Sequence, residues 1–164
     1  MKTNLSSLKK PSILVANGVN LDLLGQRPSQ YYGKKCLSDI NKGLRKIEPN
    51  LSKLFGFSSC DLTFVQSNCE SEFISFFSTE YSAAIINPGA WTHTSLSLAD
   101  RLEALNLPFI EVHLSNLALR KERVRSISFI RPHAIGSICG FGYISYESAL
   151  FAILAFLKEN HHLI

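Results

Sequence analysis

Five short apolar runs, separated by stretches of helical period, constrain this chain more than any other feature. The runs cover residues 12–16, 62–65, 83–86, 109–112 and 134–139. Each is too short for a stable helix and most lack the alternation of a half-exposed strand, so they predict strands buried on both faces. Between them Leu37, Ile40, Leu44 and Ile47 recur at helical spacing, with Pro49 ending or kinking that helix and Gly56 marking a stop further on. Phe73, Ile74 and Phe77 share one face of a helix over 70–77, Leu96, Leu98, Leu102 and Leu105 form another that Pro108 closes, and residues 147–157 supply a last one. Such alternation implies a parallel sheet with helices on both faces and right-handed crossovers. Five strands favour the flavodoxin-like order 2-1-3-4-5, an α/β three-layer sandwich whose ligand crevice opens where the carboxyl ends of the first and third strands flank the switch point.

Length and charge narrow the class further. A chain of 164 residues with 46% hydrophobic and 18% charged residues fits a single domain over 1–164, with 1–11 expected as a flexible tail and 159–164, containing His161 and His162, as a frayed end. The net charge of +4 is modest and spread, apart from Lys9-Lys10, Lys34-Lys35 and the segment 120–131. That is too little to predict a nucleic-acid partner, and no nucleic acid is expected, but a local basic cluster could hold a small anion. The first twelve residues contain only Leu5 and Leu8 between lysines, so no export segment is expected, and no run approaches the roughly 20 apolar residues of a membrane span. Cys36, Cys60, Cys69 and Cys139 are scattered without a Cys-x-x-Cys pair, which argues against zinc or a disulfide framework and for a reducing cytosol.

The crevice is where chemistry is expected. Asn17-Gly18 closes the first strand, Asn87-Pro88-Gly89 the third, and His113-Leu114-Ser115 the fourth, with His93 just beyond the third. Asn and Ser offer neutral hydrogen bonds and His transfers protons near neutral pH, a set suited to a small polyhydroxylated ligand. Taken singly, each has an ordinary reading: the asparagines as turn formers, His93 as a loop residue before a helix, His113 as a core histidine satisfied by Glu111. Their convergence on one crevice favours function. His93, His113 and His133 lie about twenty residues apart without a carboxylate partner set, so metal ligation is not expected. No Gly-x-Gly-x-x-Gly follows the first strand, so neither is a dinucleotide. The loop from Gly25 to Gly33 brackets Arg27 and Tyr32 with glycines, as a hinged lid would, and a guanidinium beside a phenol favours the phenolate, making Arg27 with Tyr32 a candidate base. An exposed loop with a packed aromatic is the alternative.

Several blocks together carry a resemblance. Asn17-Gly18-Val19-Asn20-Leu21-Asp22-Leu23-Leu24-Gly25, Arg27 with Tyr32-Gly33, Gln66-Ser67-Asn68, Asn87-Pro88-Gly89-Ala90-Trp91-Thr92-His93-Thr94-Ser95, Glu111-Val112-His113-Leu114-Ser115-Asn116, the Gly140-Phe141-Gly142 turn and Tyr146 stand in the order of the signature blocks of type II 3-dehydroquinate dehydratase, over nearly the whole chain. The chain resembles that family, which has a flavodoxin-like fold and removes water from 3-dehydroquinate without a cofactor, in the shikimate or quinate pathway. The resemblance implies that Tyr32 takes the proton beside the ketone, that Arg27 lowers its pKa and steadies the enolate, that Asn17 holds a water on the enolate oxygen, and that His113, oriented by Glu111, protonates the departing hydroxyl. It implies substrate contacts from Asn87, Gly89, Ala90, His93, Asp100, Leu114, Ser115 and Arg125, the last for the carboxylate with Arg123 as its alternative, and a homododecamer.

The chain departs from the family pattern at Val19, where proline is usual, at Asp22, where asparagine is usual, and at Pro28-Ser29 in the lid. These leave the Arg27-to-Tyr32 spacing intact and imply altered lid stiffness rather than lost chemistry. The linker around Pro49 is longer than usual, and residues 117–129 carry about one extra residue. Two other readings share the fold: a non-catalytic module binding a small anion or a partner, and a flavin-binding electron carrier.

Overall fold

The computed structural model describes residues 10–26 and 33–164. Within them five strands, β1 (Ser12–Asn17), β2 (Asp61–Gln66), β3 (Ala83–Asn87), β4 (Phe109–His113) and β5 (Gly136–Cys139), form one parallel sheet in the order β2-β1-β3-β4-β5. The helices are α1 (Leu37–Phe55), α2 (Glu70–Ser75), α3 (Leu96–Leu105) and α4 (Ile144–Glu159). Of the expected N-terminal tail only residues 10 and 11 are described, and they are tied down. The Pro11 carbonyl accepts from the Asp61 amide at 2.8 Å, and Lys10 pairs with the Asp61 carboxylate at 2.5 Å.

Strand side chains alternate between the two faces of a sheet, and here both faces are apolar. Ile13, Val15, Ala83, Ile85, Ile110 and Val112 point into one core with Leu44 of α1 and Leu150, Ile153 and Leu157 of α4. Leu14, Ala16, Ala84, Ile86 and Phe109 point into the other with Phe73 and Phe77 around α2 and Leu98 and Leu102 of α3. That double burial is why the sequence shows runs instead of alternation. By the same parity Glu111 and His113 share the face of Phe109, so β4 delivers both toward the polar end of the second core.

Several boundaries differ from expectation. α1 runs through Pro49 to Gly56, whose left-handed φ of 87° stops it. The missing Pro49 N–H is tolerated because the last turns are held independently. Leu51 and Phe55 pack on the first core. Glu48 accepts from the Ser52 hydroxyl and the Cys60 amide, both at 2.6 Å. β5 begins at Gly136, two residues late, because residues 131–134 turn in a 3-10 helix closed by an Ala134-to-Arg131 bond. α2 stops at Ser75, short of Phe77, and α4 starts three residues earlier than its periodicity suggested. The expected frayed end instead makes a 3-10 turn over His161–Leu163, and Ile164 packs against the first core.

The crevice depends on a close approach between two strand ends. The Gly18 amide donates to the Asn87 carbonyl at 2.8 Å, and a Cβ on Gly18 would fall on the Pro88 carbonyl. Backbone on backbone cannot be relieved by a side-chain shift, so Gly18→Ala is expected to lower stability by roughly 1–3 kcal/mol. Urea unfolding checks this, and a cost below ~0.5 kcal/mol would show that the two loops have room to separate.

Candidate active site

Beyond the carboxyl ends of β1, β3 and β4 lies a cavity of about 140 Å³ lined by Val19, Asn20, Leu21, Asn87, Gly89, Ala90, His93, His113, Leu114, Ser115, Leu117, Arg120 and Arg125. It sits at the switch point that the strand order creates. Two arginines and two histidines line it, so it suits an anion of metabolite size.

Its floor is built on a buried carboxylate. Glu111 has no solvent exposure, and an ion there is tolerable only if its oxygens are satisfied. Oε1 accepts from His113 Nε2 at 2.8 Å, from Ser128 Oγ at 2.9 Å and from Thr92 Oγ1. Oε2 accepts from Arg131 Nε at 3.1 Å. Burial pushes the Glu111 carboxyl up, but the bond and charge of His113, with the Thr92 and Ser128 hydroxyls, outweigh it and bring it down to about 2. The group is therefore a carboxylate at every physiological pH, and it fixes which ring nitrogen of His113 donates into the protein. Nδ1 is the nitrogen that Glu111 does not engage.

His93 is set differently. Its Nδ1 lies 2.5 Å from the Ile127 carbonyl, which accepts the ring proton and leaves Nε2 as an acceptor. Burial holds the His93 imidazole below its ordinary pKa, opposed by the Ile127 carbonyl and assisted by the positive charges of His113 and Arg125. A neutral His93 accepts a hydrogen bond from a ligand hydroxyl without competing for a proton.

The wall between β1 and β3 hangs on one phenol. Tyr146 of α4, fully buried, donates to Asn17 Oδ1 at 2.6 Å and accepts from Asn87 Nδ2 at 2.8 Å. Asn87 Oδ1 accepts from the Gly89 amide at 3.2 Å. Both ends of the Asn87 amide are thus fixed, with one Nδ2 hydrogen left over. Burial pushes the Tyr146 hydroxyl well up, against a smaller opposing effect of the Asn87 bond, so it stays a neutral donor.

With this geometry in place, the comparison with known proteins is direct. The family described as Dehydroquinase class II matches residues 11–154. The chain belongs to that family. It is 44% identical over 155 residues to the 3-dehydroquinate dehydratase of Polynucleobacter necessarius subsp. necessarius (strain STIR1), a match spanning 92% of this chain and 99% of that protein. The crystal structure of type II dehydroquinase from Propionibacterium acnes superposes with a TM-score of 0.76 at 34% identity, covering 91% of this chain and 99% of that one. That from Butyrivibrio crossotus gives 0.77 at 32%, covering 88% and 97%.

Of the residues that the sequence singled out, Asn87, Gly89, Ala90, His93, His113, Leu114, Ser115 and Arg125 line the one cavity. Glu111 lies directly behind His113. Asn17 sits behind the wall rather than on it: its side chain is buried, bonded to Tyr146 and, through Nδ2, to the Val65 carbonyl at 3.4 Å. Asp100 is exposed on α3 and does not line the cavity. Arg123 is exposed and also outside the lining, which separates it from Arg125. Arg27 and Tyr32 lie outside the described residues.

Several participants were not foreseen. Arg120 lines the cavity and donates to Ser115 Oγ at 3.1 Å. Asn68 anchors the loop after β1, accepting from the Asn20 amide at 2.8 Å and donating to Asp22 at 3.0 Å. Thr92, Ser128 and Arg131 complete the shell of Glu111. Tyr146 had a signal, a hydroxylated aromatic inside an otherwise apolar helix. Asn68 stood in a recognised block without a role.

Tyr146→Phe removes one hydroxyl and leaves Asn17 Oδ1 and Asn87 Nδ2 buried without their partner, which is expected to cost roughly 1–3 kcal/mol of stability. By loosening Asn87 it should also raise KM more than it lowers kcat. Denaturation together with steady-state kinetics checks both, and unchanged KM would detach Asn87 from the phenol.

Proposed function

We infer that this chain dehydrates 3-dehydroquinate to 3-dehydroshikimate, a hydro-lyase reaction of the shikimate or quinate pathway, with His113 as the acid and Tyr32 as the base. The observation that carries the reading is the pairing of His113 with a buried, ionised Glu111 on the floor of a cationic cavity. A binding module has no use for a histidine oriented by a desolvated carboxylate; a proton donor to a departing hydroxyl does. The same pair speaks against the anion-binding and flavin-carrier readings.

In this reading the Tyr32 phenolate takes the proton from the carbon next to the ketone, and the electron pair moves onto the ketone oxygen. Arg27 steadies the resulting enolate. The enolate then collapses, the bond to the hydroxyl on the far side breaks in a trans elimination, and His113 gives that oxygen a proton so that it leaves as water. Asn87 and the neutral His93 hold ring hydroxyls, with Gly89 and Ala90 beside them. Arg125 and the Leu114-Ser115 segment take the carboxylate, the guanidinium by paired donors. Asn17 acts through Tyr146 on Asn87. The lid reading is supported by the described flanks of residues 27–32: Leu21 lines the cavity, and Gly33 lines a neighbouring one that shares Leu114, Ser115 and Arg120 with it. Gly25 and Gly33 hold φ of 91° and 74°, left-handed conformations available to hinge glycines.

We place the enzyme in the cytosol, as its scattered cysteines suggest, and assemble it as a dodecamer, for which the exposed Leu96, Leu119 and Val124 offer apolar contact surface. No helix among the described residues is long and apolar enough to cross a membrane. Light scattering should then give about twelve times the 18.3 kDa chain mass; a monomer would refute the assembly.

Purified protein mixed with 3-dehydroquinate should produce the ultraviolet absorbance of a conjugated enone. Tyr32→Phe should cut kcat by roughly 10²–10⁴-fold, the range of a lost general base, while substrate binding changes by no more than a few-fold. Absence of the absorbance rise at high protein concentration would sink the reaction, and near-normal turnover in the variant would sink the base.

A further inference from the structure

Arg131 stands apart from the cavity yet reaches its buried carboxylate by two routes, one direct and one through Ser128. Its Nε donates to Glu111 Oε2 at 3.1 Å, and its backbone amide donates to Ser128 Oγ at 3.0 Å, the same hydroxyl that donates to Glu111 Oε1 at 2.9 Å. The Arg131 side chain is 42% exposed, whereas Glu111 is fully buried. Arg131 lines a separate depression with Leu117, Ala118, Ser126, Ser137 and Cys139, so it reaches the carboxylate from outside the substrate cavity. Glu111 therefore lies between two basic groups, His113 on one oxygen and a solvent-anchored guanidinium on the other.

We propose that Arg131 is a positioning residue for the dehydration: by holding Glu111 Oε2 it aims Oε1 at His113 and leaves His113 only part of the carboxylate's charge. The inference rests on the reading of His113 as the acid. A carboxylate facing an imidazole alone would hold the imidazolium proton tightly, and a tightly held proton is transferred slowly. A second cation on the far oxygen shares that charge and keeps the proton available. The guanidinium is suited to this because it is charged at every working pH and its planar fork fixes direction as well as charge. Ser128 adds geometry without charge, since it locks the segment that carries Arg131 to the same carboxylate.

Other groups face His113 and would act on it in both the parent and the variants. They are Glu111 on its own strand, His93 from the 3-10 turn after β3, Arg120 and Arg125 from the segment after β4, and Cys139, its register partner on β5. Changing Arg131 alone isolates its share.

The test compares the parent enzyme with Arg131→Gln, Arg131→Met and Arg131→Lys. The ring-carbon NMR signal of His113 is followed through pH, with kcat/KM measured alongside. In the two charge-free variants His113 should keep its proton to higher pH, by roughly half to one pH unit for a partly screened charge one carboxylate away. kcat should fall roughly threefold to tenfold, and Arg131→Lys should restore most of both. A loss of thermal stability with the His113 titration unmoved would overturn the proposal, because it would leave Arg131 a purely structural clamp. So would a set in which only Arg131→Lys folds. His113→Asn separates the two levels: if that variant keeps its turnover, the assignment of the acid fails and this inference with it. If His113 is essential but its titration ignores Arg131, this inference alone fails.

Discussion

A carboxylate with no solvent exposure is the interaction on which the rest of this site depends. Desolvating an ion costs several kcal/mol unless its oxygens are matched by donors, and Glu111 is matched by four side chains from three places in the chain: Thr92, His113, and the pair Ser128 and Arg131. Each donor constrains a segment. Thr92 ties the turn after β3, Ser128 and Arg131 tie the long connection between β4 and β5, and His113 is tied along its own strand. The irregular segment from 117 to 135 is thus held to the sheet where it borders the cavity by the need to neutralise one buried charge, and the Phe129 amide reinforces this by donating to the Thr92 carbonyl at 2.9 Å.

The second fixed point is neutral. Tyr146 reaches from α4 across the sheet ends to join Asn17 and Asn87, so the helix that fills the first core also sets the spacing of the crevice. Three polar groups that line the cavity are each held by a residue that does not line it: Asn87 by Tyr146, His93 by Ile127 and His113 by Glu111. Such support is what keeps donors at the distances that electrostatic stabilisation of an enolate requires.

How much of this was legible in sequence follows from whether the signal was local. Residues 12–16 and 83–86 read as strands because burial on both faces writes an unbroken apolar run, and the crevice followed from strand order. The family blocks then pointed to His113, Asn87 and His93. Pro49 misled because helix propensity is local, while the packing of Leu51 and Phe55 and the grip of Glu48 that carry α1 past it are tertiary. Arg131 was unreadable for the same reason: nothing near it in sequence announces that Ser128 and Arg131 fold back onto β4. Asn17 was recognised by its block, but that it lies behind the wall depends on Tyr146, 129 residues away.

The proposed mechanism puts acid and base on different elements, and there is a physical reason for it. A phenolate and an imidazolium in permanent contact would exchange the proton that each needs in order to act, and both would be lost to the reaction. The described fold holds the His113 ring through Glu111, with Arg131 on the far carboxylate oxygen, and the proposed mechanism assigns the acid there. The same mechanism assigns the base to the segment between two left-handed glycines, Gly25 and Gly33, after the loop that Asn68 anchors at its start. In that mechanism the substrate lies between the two and separates their charges. In the proposed mechanism the two halves meet one requirement: one proton is taken from the substrate's carbon on one side while another is given to its departing oxygen on the other.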